Sequence, residues 1–225
     1  MLELIHGDVP YKLKKRQEKE TPIKPKKAWT SFGRGNGKTE IRDNLYPLQK
    51  GLCVYCEEQL DKYGFHIEHI LSKDKNHRLT FEYTNLSLSC MKKLDELEKN
   101  YGITKESRSC GHSILKSENQ YIEILFIKPT EKKCNLLFSY ISNGKITYSI
   151  NSSDFNKLRI NHTIKVLNLD CRRLERDRRE ILEEIYKAVK DVQYNKEALN
   201  DFITLELDRK PSFISAREEH YKIFQ

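Results

Sequence analysis

Two cysteines and two histidines lie close together in the stretch LCVYCEEQLDKYGFHIEHI, residues 52–70. Cys53 and Cys56 have the C-x-x-C spacing, which lets two thiolates bind one zinc ion at about 2.3 Å while the backbone between them turns. One such pair fills half of a tetrahedral site. Cys90 and Cys110 follow on either side of a charged insert, and they complete the site if the insert loops out. We therefore predict a structural zinc site formed by these four cysteines.

Redox pairs share the C-x-x-C spacing, but no thioredoxin-like βαβ pattern surrounds it in this chain. The N-terminus lacks the apolar segment of a signal peptide, and no apolar run approaches the ~20 residues that cross a bilayer. We therefore expect a soluble, cytoplasmic protein, and disulfides are rare in that compartment. The two remaining cysteines, Cys134 and Cys171, are then ordinary buried residues.

The run HIEH, residues 66–69, combines imidazoles with a carboxylate. In a strand, His66 and Glu68 point to one face and His69 to the other, unless the strand ends or bulges there. A turn at His69 would bring Glu68 and His69 into the same cleft. A carboxylate suits Mg²⁺ or Mn²⁺, and a neutral imidazole can take a proton from water near pH 7. We expect Glu68 to bind the cation and His69 to generate the nucleophile, with His66 either facing the substrate or buried.

Two further segments carry polar residues that could serve the same site. Asn85 in YTNLSLSC can bond to backbone groups and fix the loop that holds His69, or cap a turn. His112 in GHSILK stands at the start of a predicted helix, where it could be a second metal ligand. Lys116 lies one turn later and either contacts phosphate or, as most lysines do, remains solvated.

Hydrophobic periodicity predicts the elements that must position these residues. The predicted helices cover residues 38–49, 94–100, a segment starting at 155 behind the cap Asp154, and 171–194. The predicted strands cover residues 65–70, 121–128, 134–141 and 145–150. Asn143-Gly144 is a strong hairpin signal between the last two strands. The sequence thus predicts a small antiparallel sheet after the motif region, followed by helices.

The chain of 225 residues has a formal charge of +8, which suits an acidic polymer, whether nucleic acid or an acidic protein surface. Residues 12–27 are rich in lysine without apolar period and predict an extended basic arm. The arginines of residues 172–179 are more typical of a solvated helix face with local ion pairs than of a phosphate site. The apolar stripe from Leu174 to Val189 could bury within the chain or dock on a partner.

The segments LCVYCE, HIEHI, TNLSLSC and SCGH together resemble a zinc-stapled HNH endonuclease of the ββα-metal class. With the hairpin region and the later IKVLNLDCRRLERDRREIL, the chain resembles PtuB, the HNH partner of an ATPase in Septu antiphage systems and in retrons that carry the same pair. The resemblance touches most of the chain from Trp29 onward, and only the motif segments are specific. It implies an α+β fold: a zinc-stapled ββα-metal core, a small antiparallel sheet and C-terminal helices.

The resemblance also implies residue roles. His69 would be the general base, Asn85 the residue that orients it, and Glu68 and His112 the ligands of a catalytic Mg²⁺ or Mn²⁺. The four cysteines would hold a structural Zn²⁺.

Two features depart from the HNH pattern. Many HNH proteins close the zinc site with a second C-x-x-C, whereas a long insert separates Cys90 from Cys110 here. Gly111 also intervenes before His112, so Asn76 or His77 remain alternatives as the second ligand of the catalytic ion.

The implied function is metal-dependent hydrolysis of phosphodiester bonds by the effector subunit of an antiphage complex. The implied partners are a PtuA-type ATPase, DNA or RNA as substrate and, in a retron, reverse-transcribed DNA. The expected division is a basic arm over residues 1–28, a nuclease core over 29–118, and a hairpin and helical region over 119–225. The alternative is a zinc-stabilised nucleic-acid-binding or scaffold subunit without catalysis.

Overall fold

The computed structural model describes residues 1–190, 195–209 and 211–224, which form a mixture of helices and two small antiparallel sheets. The helices are α1 (Tyr11–Gln17), α2 (Pro25–Arg34), α3 (Gly37–Leu48), α4 (Leu94–Tyr101), α5 (Ile114–Ser117), α6 (Asp154–Leu167), α7 (Arg172–Lys190), α8 (Lys196–Asp208) and α9 (Ile214–Tyr221). The strands are β1 (Phe65–His69), β2 (Leu86–Cys90), β3 (Phe138–Tyr140) and β4 (Ile146–Tyr148).

Strands β1 and β2 form the sheet that carries the motif residues. They pair antiparallel, with His66 opposite Ser89 and Glu68 opposite Ser87. Residues that face each other across an antiparallel pair lie on the same side of the sheet. The short serine side chains of β2 therefore leave room on the face that His66 and Glu68 occupy.

Helix α3 supports this sheet. Ile41 and Leu45 are four residues apart, lie on one face of α3 and are fully buried. At the end of the helix, the side-chain amide of Gln49 donates to the carbonyls of Leu52 and Leu88 at 2.9 Å each. Its oxygen accepts from the Leu88 N–H at 2.7 Å. Gln49 thus links α3 to the first cysteine loop and to β2.

The β3–β4 hairpin and the C-terminal helices form the second part of the core. Leu174, Leu182, Ile185 and Val189 are buried within the chain. The apolar stripe of α7 is therefore already covered by the protein itself. Arg178 is also buried, and its guanidinium donates to the carbonyls of Gly144 and Leu169. The prediction of a solvated arginine face is therefore wrong for this residue.

The predicted helix over residues 38–49 is confirmed as α3, and the predicted strand over 65–70 as β1.

The strand predicted over 121–128 is wrong, since this segment contains the 3₁₀ turn Glu123–Leu125. It packs against α6 instead of pairing with a described strand, and the Ile127 N–H donates to the Thr163 hydroxyl at 2.9 Å. Of the strand predicted over 134–141, only Phe138–Tyr140 forms. The last residues of the helix predicted over 171–194 lie outside the described ranges.

The lysine-rich N-terminal segment is not extended as predicted. It contains α1 and the start of α2, and Leu13 of α1 is fully buried. This segment therefore packs on the core through the apolar side chain of Leu13. The many lysines around Leu13 hide this apolar contact from an analysis of composition. None of the helices in the described ranges is both long and apolar enough to cross a membrane.

Gly144 at the hairpin tip provides a test of the contact between the hairpin and α7. Its φ is +88°, and a Cβ there would lie 2.0 Å from the carbonyl oxygen of Glu175. Gly102 has a similar φ of +64°, but a Cβ there would meet no atom within 4 Å.

We expect Gly102→Ala to lower the free energy of unfolding by about 1–2 kcal/mol, the cost of a left-handed conformation. Gly144→Ala should cost roughly 1–3 kcal/mol more, because its methyl group overlaps the helix backbone. Urea unfolding of both variants measures the difference. Equal losses would mean that the hairpin tip does not press against α7.

Candidate functional site

Four cysteines from three segments converge on one point. The ligand atoms of Cys53, Cys56, Cys90 and Cys110 all lie within 4.8 Å of one another, and all four residues are buried. The Sγ atoms of Cys56 and Cys90 are 3.8 Å apart, the separation of two ligands that are each about 2.3 Å from one tetrahedral ion. The insert between Cys90 and Cys110 carries α4 and returns the chain to the cluster. The cluster could therefore bind zinc.

Charged side chains surround the cysteine cluster. Glu58 lies 3.7 Å from the Sγ of Cys56 and forms an ion pair with Arg173 of α7. The Arg173 guanidinium also donates to the Ser109 hydroxyl at 3.1 Å. Burial alone would lower the pKa of Arg173, but Glu58 and the neighbouring cysteines raise it above its ordinary value. A permanently charged arginine of α7 therefore stands next to the cluster.

His66, Glu68 and His112 form a second group beside the sheet. The Nδ1 of His66 lies 2.9 Å from the Met91 carbonyl, and its Nε2 lies 3.4 Å from Oε2 of Glu68. The rings of His66 and His112 are 4.0 Å apart between centroids. Burial, and next the charge of His66, lower the pKa of His112 to about 4, so this ring is neutral at pH 7.

Gly111 permits this close arrangement. A Cβ at this position would lie 2.7 Å from Oε2 of Glu68 and 2.9 Å from Nε2 of His66. The glycine that interrupts the HNH pattern in the sequence therefore has a steric reason, since only a residue without a side chain fits against this pair.

The donors of this group suit a divalent cation. With Nδ1 of His66 at the Met91 carbonyl, Nε2 faces the Glu68 carboxylate oxygen, and both atoms could be ligands of one cation. Their 3.4 Å separation is compatible with two ligands that are each about 2.1 Å from one ion.

Lys116 is part of the same pocket, contrary to the interpretation of a solvated lysine. Its side chain is buried, and Nζ lies 3.0 Å from Oε1 of Glu68 and 3.1 Å from the carbonyl oxygen of His69. Burial alone would raise the pKa of Glu68, but Lys116 and His66 outweigh burial and hold it below its ordinary value. Glu68 is therefore an ionised carboxylate with one oxygen paired to an ammonium group.

His69 faces a different environment. Its ring packs edge-on against Trp29, 4.6 Å between centroids, and its Nε2 lies 3.1 Å from the carbonyl oxygen of Thr80. A carbonyl can only accept, so Nε2 carries the proton and Nδ1 holds the free electron pair. Burial, and next the charge of Lys73, lower the pKa of His69 to about 4. The imidazole is thus neutral at pH 7 and able to accept a proton at Nδ1.

Asn85 fixes the loop that follows His69. Its Oδ1 accepts from the Leu71 N–H at 2.8 Å, and its Nδ2 donates to the carbonyls of Leu71 and Leu79 at 3.0 and 3.2 Å. Asn85 itself is buried. One amide therefore closes the loop that begins after β1 and returns to Thr80, the residue that holds the His69 ring.

The structure brings some of the predicted site residues together and separates others. Glu68 and His69 are adjacent in β1, which runs through His69, and their side chains leave opposite faces of the strand. The predicted turn that would bring both into one cleft does not form. The Glu68 charge still acts on the pKa of His69, so the two groups remain within electrostatic reach. Asn76 caps the turn His77–Thr80 through its side chain, and His77 is exposed.

His66 and Lys116 both contact Glu68 in the pocket, although the sequence analysis did not assign either of them to the metal site. The i, i+2 spacing of His66 and Glu68 signals a shared strand face, and the structure confirms that shared face. No local pattern signals that Lys116 is buried, because its burial depends on the packing of α5 against the sheet.

The fold and its two clusters define a small α+β protein in which four clustered cysteines stand beside a histidine and carboxylate pocket. No family model matches the chain. The chain is 28% identical over 207 residues to a protein of Vibrio cholerae serotype O1 biovar El Tor named "Retron Vc95 putative HNH endonuclease". The aligned region covers 90% of this chain and 93% of that protein.

The cysteine cluster predicts a metal content that single substitutions change. Cys90→Ser or Cys110→Ser should reduce zinc from about one ion per chain to a small fraction and should destabilise the fold, because a structural zinc site contributes folding free energy. Elemental analysis of the purified protein measures the content. Cys134→Ser is the matched control, since this buried thiol donates to the Leu2 and Pro129 carbonyls instead. Full zinc retention in the Cys90 and Cys110 variants would contradict the site.

The environment of His69 predicts its protonation. At pH 7, ¹⁵N NMR should find a neutral ring with the proton on Nε2, and titration should give a pKa of about 4. An unfolded histidine titrates near 6.5, so the unfolded state takes up the proton first as pH falls. The ring therefore leaves stability unchanged above pH 6.5 and lowers it progressively from pH 6.5 to about 4. A proton on Nδ1 would contradict the Thr80 contact.

Proposed function

We propose that this chain is a metal-dependent HNH-type endonuclease that hydrolyses phosphodiester bonds in DNA or RNA. The observation that carries the proposal is the state of His69, a neutral imidazole whose Nε2 is held by Thr80 and whose Nδ1 is left as a base. A group of this kind can take a proton from an attacking water. The similarity to the Vibrio cholerae protein, whose name describes a putative HNH endonuclease, supports the same class of activity.

Glu68 and His112, with His66 as a further donor, would hold the catalytic Mg²⁺ or Mn²⁺. When bound, such an ion stabilises the negative charge that develops on the phosphoryl oxygens. Gly111 adds no side-chain atom next to Oε2 of Glu68 and Nε2 of His66, which supports this assignment. His112 is a better candidate than Asn76, which caps a turn, or His77, which is exposed.

The residues of the protein have separable roles in this scheme. Asn85 positions the loop that ends at Thr80 and thereby orients His69. Lys116 keeps Glu68 ionised despite its burial and binds the last carbonyl of β1. The chain order of β1, β2 and then α5 supports a ββα-metal core, in which α5 delivers Lys116 and the turn before it delivers His112.

The proposal extends to the biological assembly. The protein would be the nuclease subunit of an antiphage complex of Septu or retron type, with a PtuA-type ATPase as partner. The division into a basic arm (1–28), a nuclease core (29–118) and a hairpin and helical region (119–225) stays a prediction. Because the apolar stripe of α7 is buried within this chain, an ATPase would bind through other surfaces.

A second function has specific support, namely a zinc-stabilised nucleic-acid-binding or scaffold subunit without catalysis. Glu68 and His69 leave opposite faces of β1, and the Lys116 ammonium stands 3.0 Å from the carboxylate that would bind the ion. Both features are compatible with a site that has lost catalysis while keeping its fold.

A cleavage assay separates the two functions. Wild type, His69→Ala and His77→Ala are incubated with plasmid DNA and with RNA in Mg²⁺ or Mn²⁺, with and without the ATPase. Loss of the base should slow cleavage by about 10²–10⁴-fold in His69→Ala. His77→Ala removes an exposed histidine of the adjacent loop and should cleave as wild type does. Equal rates in wild type and His69→Ala would remove His69 from the base role, and no cleavage by the complex would favour the second function.

A further inference from the structure

A group of cations lies near His69, whose side chain packs against Trp29. The Nζ of Lys38 stands 5.0 Å from the centre of the Trp29 ring, and the same ring contacts His69 at 4.6 Å. Lys73 follows His69 by four residues, within the loop that Asn85 closes. Its charge is close enough to lower the pKa of the His69 ring.

The charges of the two lysines and of further cations act on one another. Burial lowers the pKa of Lys38, and the charges of Lys73 and Arg42 lower it further. Burial likewise lowers the pKa of Lys73. The charges of Asp74 and Glu68 oppose this effect, and those of Lys26 and Lys116 add to it. Like charges therefore lie in a partly buried environment, where their repulsion lowers the stability of the folded protein.

No carboxylate forms an ion pair with either lysine in the described ranges. Asp74, the sequence neighbour of Lys73, pairs with Lys26 at 3.1 Å instead. Lys62 and Arg159 differ from these two lysines, because both have carboxylate partners. Lys62 pairs with Glu58 and Asp177, and Arg159 pairs with Glu131.

Partly buried lysines without a carboxylate partner point to an anion that binds from outside. We infer that Lys38 and Lys73 form a phosphate-binding site that holds the backbone of a nucleic-acid strand against His69. The inference relies on the proposed function to identify the ligand as a nucleic-acid strand. The location of the site relies on the contacts of the Trp29 ring with Lys38 and His69. It assigns the α2–α3 region, which supplies Trp29 and Lys38, to substrate binding.

Binding measurements test this site independently of cleavage. The zinc-loaded full chain is titrated into fluorescein-labelled DNA and RNA oligonucleotides without added Mg²⁺ or Mn²⁺, and anisotropy is recorded at several salt concentrations. Lys38→Gln and Lys73→Gln should each weaken binding by roughly threefold to tenfold and lower the salt slope of log K by about 0.7–0.9. The double variant should lose both contributions.

Lys93→Gln and Lys157→Gln are the matched controls, because each lysine has an acidic partner near it in sequence, Glu96 and Asp154 respectively. Both should bind as wild type does. Circular dichroism and zinc content verify that every variant is folded. Inorganic phosphate identifies the ligand: displacement of the oligonucleotide only at high phosphate concentration supports a polymer backbone.

Three outcomes would overturn the site: no binding of nucleic acid by wild type, unchanged affinity and salt slope in the double variant, or binding of free phosphate alone. The failure of the endonuclease proposal looks different. Lysine-dependent binding without cleavage by the complex would refute the nuclease and keep the site. Cleavage by the double variant with an unchanged KM would refute the site and keep the nuclease.

Discussion

Four cysteine sulfurs from three separate segments converge within 4.8 Å of one another, and this convergence positions the strand and the turn that carry the neighbouring pocket. Cys90 ends β2, so the cluster fixes the strand that pairs with β1. Cys110 precedes Gly111 and His112, so the same cluster places these residues against His66 and Glu68. A sheet of two short strands is marginal alone, and here it gains its support from the cluster and from α3.

Strand geometry divides the chemistry of β1 between two surfaces. On one surface, an ionised carboxylate is surrounded by two imidazoles and an ammonium group. On the other, a neutral imidazole packs against Trp29, whose ring also lies 5.0 Å from the Lys38 ammonium group. The two surfaces meet at the carbonyl of His69, where Lys116 binds the strand end. A phosphodiester that reaches both groups therefore has to lie across the end of β1.

Local patterns in the sequence predicted the cysteine cluster, α3, β1 and the backbone-fixing role of Asn85, because spacing and residue type encode each of them. The sequence analysis did not predict the contacts that depend on packing between distant segments. Burial of Lys116 requires α5 to reach the sheet, and the Trp29 contact requires α2 to reach His69. The segment 121–128 alternates as a strand does, yet it lies against α6 and forms a 3₁₀ turn.

The position of Arg173 joins the C-terminal half of the chain to the metal chemistry of the N-terminal half. If the cysteine cluster binds zinc, an ion with four thiolate ligands would carry a net charge of −2, close to the Arg173 guanidinium of α7 and its partner Glu58. Attachment of the helix and metal occupancy would then be linked equilibria, in which each event changes the other by the same factor. Without the ion, α7 and the helices after it would be attached less stably to the rest of the chain. Metal binding would then make the folding of both halves cooperative.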